Sequence, residues 1–316
     1  MKRFVARHWF LLLTLAGAAA VWQWPGAVRW TCRVDHTAGG MLVIFLSALG
    51  LPGHRLAGAA GRPLPALGGL AISYGLLPAL AWQAGRLLPL EDFRIGLLLV
   101  ASVPCTLASA VIWTRLAGGD DATALLITLL TNATGWLATT AWLALAAGEG
   151  TGAGPALPMM LRLIVVLVLP VALGQLARAA GPVARAAARH QTGLSVLTRL
   201  LVLAMMLKAA LGVRDRLAGG PAGVTVGLLL AVAAVCVGLH LAGLAGGLWG
   251  GRCLGFDRPR RIAVGIAGSQ KTLPVSLMLF EAHFAGYPLA GVPMVLYHFG
   301  QLIADTLLAG WLRNRE

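Results

Sequence analysis

The residues able to do chemistry lie in a few polar runs inside long apolar stretches. The run Gly268-Ser269-Gln270-Lys271-Thr272-Leu273-Pro274 combines four polar side chains with a glycine and a proline. A second run, Ala101-Ser102-Val103-Pro104-Cys105-Thr106-Leu107-Ala108-Ser109, sets Pro104 among small and hydroxylated residues. Proline removes a backbone donor and collides with the preceding turn, so each run should interrupt a helix. Downstream, His298, Gln301 and Asp305 are spaced i, i+3, i+7 and share one helix face. Thr128, Asn132, Gly135 and Thr139 share another. A Thr hydroxyl can bond its own helix carbonyls, but the Asn132 amide is harder to satisfy that way.

The surroundings decide what such residues can do. Of 316 residues, 58% are apolar and 11% charged, with a mean hydropathy of +0.81. A soluble domain carries roughly a quarter charged residues, so this chain is expected to be a polytopic membrane protein. Its net charge of +14 then reflects topology rather than nucleic-acid binding, because basic residues gather in cytoplasmic loops. Cys32, Cys105, Cys236 and Cys253 are too scattered for a disulfide framework or a metal site.

Punctuation by Gly, Pro and charge divides the chain into ten spans: 6–24, 38–52, 64–84, 92–117, 121–147, 157–179, 192–213, 221–250, 258–284 and 288–312. The second is short, and its helix is expected to run on to about Ala60. Segments such as Leu161 to Leu173 lack the alternation of a β-barrel strand, so the expected class is all-α. Lys2, Arg3 and Arg7 followed by Trp9 to Val21 also fit a cleaved leader, but the reading adopted retains this segment as a span. Overlapping G-x-x-x-G spacings at Gly243, Gly246, Gly247, Gly250 and Gly251 point to close helix packing.

Ten spans split five and five, with residues 1–148 as one half, 149–156 as a linker and 157–316 as the other half. An odd number per half makes the second half enter from the opposite side, an inverted repeat of the kind many secondary transporters use. A shift of 166 places pairs Ala101 with Ala267, Thr106-Leu107 with Thr272-Leu273, and Asn132 with His298. The polar breaks therefore fall in the fourth and ninth spans, matching members of the two halves. Broken helices at that depth must be buried in protein or line a cavity, and such a pair marks a binding site.

Lys271 is the most informative residue. It lies midway between Arg258 and His283, too deep to reach either interface, and an ammonium there is functional by default. Asp305, the one acid in the interior of the last spans, is a candidate partner, with Arg313 an alternative for it. Thr106, Ser109, Thr128, Asn132, Ser269, Gln270 and Thr272 are expected to line one polar cavity, joined by Lys271, His298, Gln301 and Asp305 as substrate or ion ligands. Two half-helix N-termini and Lys271 suit a carboxylate or sulfonate.

With these residues in place, the chain resembles the bile acid:sodium symporter superfamily, in the sodium-dependent transporter branch marked by a G-S-x-K-[ST]-L run. The resemblance rests on Gly268 to Leu273, on Val292-Pro293-Met294 through His298 and Gln301-Leu302, and on Gly96 to Ser109 followed by Ala122 to Asn132. It implies ten helices in two inverted five-helix repeats, interleaved into a panel and a core. It further implies that helices four and nine are broken and cross, and that sodium drives uptake of a small organic anion. Sodium-coupled members carry a Glu in the ninth-span crossing, whereas Ile262 to Phe280 holds no acid and offers Gln270-Lys271. Ser109, Thr128, Asn132 and Gln270 are the candidate sodium ligands that remain. Coupling could instead run without sodium, through a permanent Lys271 charge or through exchange of its proton. Two other classes fit less well: a non-transporting scaffold or sensor on the same fold, and an intramembrane serine hydrolase using Ser269 with His298 or Lys271.

Under ten spans, sixteen Lys and Arg fall on one side and six on the other, which places both termini in the cytoplasm of a cell whose inner or plasma membrane holds the chain. Lys208, Arg214 and Arg216 are the exception, basic on the outer side. Alkaline phosphatase fused after Glu316 is expected to be inactive in intact cells; strong activity would reject the ten-span topology.

Overall fold

The computed structural model describes residues 2–51, 61, 63–147, 156–220 and 223–314, with the side chains of 2–8 and 147 outside that set. Among them every regular element is helical. In chain order the helices are α1 (Lys2–Gln23), α2 (Pro25–Val28) with a 3-10 turn at Arg29–Arg33, α3 (His36–Gly50), α4 (Leu64–Gly85), α5 (Glu91–Ser102), α6 (Leu107–Leu116) and α7 (Asp121–Ala147). The second half holds α8 (Ala156–Ala179), α9 (Gly181–Arg189), α10 (Gln191–Ala218), α11 (Val226–Cys253), α12 (Arg258–Ser269), α13 (Leu273–His283) and α14 (Gly291–Arg313).

Among the described residues, seven helices are long and apolar enough to cross a membrane, and nine if each of two bent pairs counts as one span. One pair is α2 with its 3-10 turn and α3, bent by 79°; the other is α5 and α6, bent by 71°. α1 contributes a shorter apolar stretch, Trp9–Gln23.

Several boundaries differ from those expected. α3 ends at Gly50, where Leu51 turns extended, so its helix does not continue unbroken toward Ala60; residues 52–60 lie outside the described set. Its start is fixed by Asp35, whose carboxylate caps Ala38 N at 2.7 Å. The eighth span begins at Val226 rather than 221, because Thr225 Oγ1 caps Leu228 N at 3.1 Å. The linker expected at 149–156 falls outside the described residues apart from Ala156, the first residue of α8. The segment between spans six and seven, read as a loop, holds the short helix α9.

The helices pack in two groups. α1, α10, α3 and α8 pack in that succession, while α4 to α7 and α11 to α14 form a larger body that α8 meets along α7. Glycines set the closest approaches. A Cβ at Gly247 would collide with Gly265 Cα, and Gly243 and Gly251 on the same α11 face meet Ser269 and Arg261 of α12. Gly96 of α5 lies under the Ala290 carbonyl, and Gly174 of α8 under that of Phe45 in α3. The G-x-x-x-G spacing therefore does pack helices: Gly243, Gly247 and Gly251 seat α12, Gly246 meets the Leu76 side chain of α4, and Gly250 faces open space.

Gly247→Ala must push two backbones apart and is expected to destabilise the protein by about 1–3 kcal/mol, as overpacking does. It should appear as a lower thermal midpoint in detergent, while Gly250→Ala leaves the midpoint unchanged or raises it. Equal midpoints would show that α11 and α12 are not in backbone contact.

Candidate functional site

Both interrupted spans break where the sequence places the polar runs. α5 ends at Ser102 and α6 begins at Leu107; α12 ends at Ser269 and α13 begins at Leu273. Val103, Thr106, Gln270 and Thr272 are all extended. The two breaks meet directly, because Thr272 N donates to Pro104 O at 3.0 Å. Thr106 and Thr272, 166 places apart, stand at the N-caps of α6 and α13 without a side-chain cap bond.

Lys271 lies between the breaks, fully buried. Its ammonium donates to Ser73 O at 2.6 Å, Ser73 Oγ at 2.9 Å and Val103 O at 3.0 Å, which accounts for all three N–H bonds. The Tyr74 ring centroid is 5.4 Å from Nζ. The Ser73 carbonyl is free for a local reason. Ala71–Leu76 is a π-turn in which Leu77 N bonds Ile72 O, so the next bond would need an N–H from Pro78, which has none. The Tyr74 carbonyl, freed by the same proline, accepts from Trp142 Nε1 at 2.6 Å.

The Lys271 peptide is clamped by Gln301. Lys271 N donates to Gln301 Oε1 at 2.9 Å, and Gln301 Nε2 donates to Lys271 O at 3.0 Å. That fixes the amide's orientation, so the Nε2 group must also be the donor in its 3.0 Å contact with His298 Nδ1. The ring proton of His298 therefore sits on Nε2, which has no partner among the described residues and belongs to a cavity-lining side chain.

Asp305 does not pair with Lys271 or with Arg313. His240 of α11 lies 3.0 Å from its Oδ1, and Gln270 Nε2 donates to Oδ2 at 2.6 Å. Gln270 Oε1 accepts from Thr106 and from Ser109, the latter at 3.2 Å. Ser109 also donates to Thr106 Oγ1 at 2.7 Å. The carbonyl of Ser269 at the end of α12 is capped by Tyr297 OH at 2.8 Å and approached by His240 Nδ1 at 3.3 Å. A buried network thus runs from His240 through Asp305 and Gln270 to Thr106 and Ser109.

Beside this network lies a cavity of about 120 Å³. One wall comes from α1, α3 and α10, with Phe10, Ile44 and Arg199 among its side chains. The other comes from α6, Asn132 of α7, the start of α13, and His298, Leu302 and Thr306 of α14. Among the described residues no acid lines it, and Arg199 is its one formal charge; the guanidinium lies 5.9 Å from the Trp9 ring and 5.8 Å from that of Phe10.

Thr106, Ser109, Asn132, Thr272 and His298 therefore reach the cavity wall. Thr128, Ser269 and Gln270, expected beside them, do not line it. Thr128 Oγ1 bonds Leu125 O at 2.8 Å, Ser269 Oγ bonds Ile266 O at 3.3 Å, and Gln270 lies behind Thr106. Lys271, Gln301 and Asp305 also sit behind the wall. Asn132 donates to Cys105 O at 3.0 Å and Thr128 O at 2.8 Å, so it too braces the first break. A serine nucleophile finds no base, because Ser269, His298 and Lys271 all point to different partners. Ser73, Tyr74, His240 and Arg199 carry no sequence signal that marks them as parts of the site. Only Pro78, mid-span in α4, signals the freed carbonyls near Ser73.

Residues 8–314 match the family described as the SBF-like CPA transporter family. The chain is also similar to proteins named probable sodium/metabolite cotransporter BASS4, chloroplastic. The one from Oryza sativa subsp. indica is 31% identical over 239 residues, covering 72% of this chain and 56% of its own length. The one from Arabidopsis thaliana is 28% identical over 235 residues, covering 71% of this chain and 53% of its own. The chain thus spans a little over half the length of the curated relatives it matches. With a match over nearly its whole length and the two interrupted helices in contact at its centre, the chain belongs to the SBF-like CPA transporter family.

Proposed function

We propose that this protein is a secondary transporter that moves a small organic anion by alternating access, with the anion held in the cavity beside the crossed breaks. The observation that carries this reading is the crossing itself. Two half-helices, α6 and α13, point their N-termini to the cavity, and N-terminal N–H groups favour negative charge. The Arg199 guanidinium lines one wall and His298, whose Nε2–H is buried without a partner among the described residues, lines the other. Phe10, Ile44 and Leu302 give the anion's carbon skeleton an apolar lining.

Ten spans, in two inverted five-helix repeats, fit this reading. α1 added to the nine spans supplies the tenth. The equivalence of Thr106-Leu107 with Thr272-Leu273, in sequence and as the start of a half-helix, supports the repeat. α1, α3, α8 and α10 then form the panel, and the remaining helices the core. With both termini cytoplasmic, the cavity opens toward the cytoplasm.

For the coupling ion, the relatives' names point to sodium, while the crossing points to a tethered cation. The Lys271 ammonium takes the carbonyl oxygens that an ion between two broken helices would need. A sodium ion about 4 Å from it would meet repulsion of about 4 kcal/mol at an effective dielectric near 20. Ser109 and Gln270, candidate sodium ligands, are engaged with each other and with Thr106. In this reading Lys271 supplies the cation in place of sodium, either permanently or by exchanging its proton during the cycle. Asp305 is not the direct acceptor of that proton, since its oxygens face His240 and Gln270.

Uptake of labelled carboxylates of two to eight carbons into proteoliposomes tests the proposal. Uptake is expected to persist when potassium replaces sodium, to be abolished in Lys271→Ala, and to need about tenfold more substrate in Arg199→Gln, the loss of one charged hydrogen bond. A pH gradient drives accumulation only if Lys271 exchanges its proton. A steep sodium requirement would overturn the tethered-cation reading, and no uptake of any carboxylate would overturn the anion-transporter reading.

A further inference from the structure

A second polar cluster joins the two helix groups away from the cavity. Glu281 of α13 lies 2.6 Å from His36 Nδ1 of α3 and accepts from Lys208 Nζ of α10 at 3.1 Å. His36 Nε2 reaches Met205 O at 3.1 Å, and Lys208 Nζ also donates to Val34 O at 2.9 Å. One carboxylate of the larger body is thus clasped by two side chains of the smaller group.

Three helices agree on where the clasp sits. Along α3, His36 comes first, Ile44 and Ser47 line the cavity, and Gly50 reaches a second space of about 80 Å³ that shares Ser47 and Ser195 with the cavity and is bordered by Arg115 and Gln191. Along α10 the order is reversed: Gln191, then Ser195 and Arg199, then Met205 and Lys208. Along α13, Thr272 and Pro274 touch the cavity and Glu281 lies two turns further on. Eight residues from His36 to Ile44 correspond to about 12 Å of helix. Between clasp and cavity the seam is filled by Met278, packed so closely on Gly40 that a Cβ there would stand 2.8 Å from its Sδ.

We propose that Glu281, clasped by His36 and Lys208, is a latch that holds the seam between the helix groups shut on the face opposite the cavity mouth. While it is closed, the Met278 plug is dry and the cavity communicates with one side only. Parting the clasp frees the plug and lets the cavity open to the other side. The latch serves the transport cycle of the preceding reading, yet its own geometry stands without a substrate. It also accounts for the outer-side basic residues. Lys208 neutralises Glu281, Arg214 pairs with Asp215 at 2.9 Å, and Arg216 donates to Pro288 O at 2.7 Å.

The test is the reactivity of Met278→Cys toward a water-soluble maleimide, in lipid nanodiscs that leave both faces accessible. Cys32 and Cys253 are replaced by Ser, and the buried Cys105 and Cys236 are kept. In an otherwise native chain the probe is expected to react slowly, because Met278 is 2% exposed. Adding Glu281→Gln or Lys208→Met is expected to raise its rate by about tenfold, a shift toward an open minor state. Asp215→Asn, breaking an exposed pair within α10, is expected to change nothing. An unchanged thermal midpoint in each background shows that the protein is folded, and Ser109→Cys, on the cavity wall, shows that the reagent is active; if one latch variant fails the folding control, the other decides. An unchanged rate at Met278→Cys with Ser109→Cys still labelling would overturn the latch. Because no uptake is measured, a chain that carries no carboxylate can still show the latch, and a working transporter with unchanged labelling refutes the latch alone.

Discussion

An ammonium with no water in reach must find an oxygen for each of its N–H bonds, and the centre of this protein is arranged around that demand for Lys271. Leaving such a charge uncompensated costs several kcal/mol. The three acceptors come from two places that ordinary helix would not supply: a carbonyl released by the π-turn ahead of Pro78, and a carbonyl released by the break after Ser102. Gln301 then fixes the peptide that carries the side chain. Removing any one of these leaves a buried donor or acceptor without its partner, so α4, the end of α5, the break between α12 and α13, and α14 are bound to one another through a single residue.

The same arrangement sorts charge. The carbonyl ends of α5 and α12 gather around the ammonium, the hydroxyl of Tyr297 and the ring of His240, whereas the N–H ends of α6 and α13 turn to the cavity. In the proposed reading, a site for anions and a tethered cation thus lie on the two sides of one crossing. The His240–Asp305–Gln270 chain connects the rear of the crossing to Thr106 and Ser109 on its front.

Much of this is legible in the sequence, because breaks in an apolar helix announce themselves. Pro104, Pro274 and the polar run between Gly268 and Pro274 locate both interruptions and identify Lys271 as buried. The spacing of His298, Gln301 and Asp305 places them on one helix, but does not give their partners. Charge alone pairs Asp305 with Lys271, whereas burial beside His240, a residue in an otherwise apolar span, decides the geometry. Hydroxyls in a membrane span suggest cavity lining, yet some of them serve their own helices, as Thr128 and Ser269 do. Arg199 falls inside the expected span 192–213, but nothing in its spacing marks it as facing a cavity. Tertiary partners of this kind carry no periodic signal.

The glycine contacts have a mechanical consequence. Within each helix group, backbone rests on backbone: α11 on α12 at Gly247 and Gly265, α5 beneath Ala290, α8 beneath Phe45. Such contacts have no side chain to rotate and yield only if a whole helix shifts. Across the seam, by contrast, the glycine contact is Gly40 of α3 against a methionine thioether, a chain with three torsions that repacks at low cost. Stiffness is therefore distributed unevenly through the molecule, high inside each group and low along one plane between them. Once the Glu281 clasp parts, that plane is where the two groups can separate without moving backbone against backbone, as a layered solid parts along its cleavage plane.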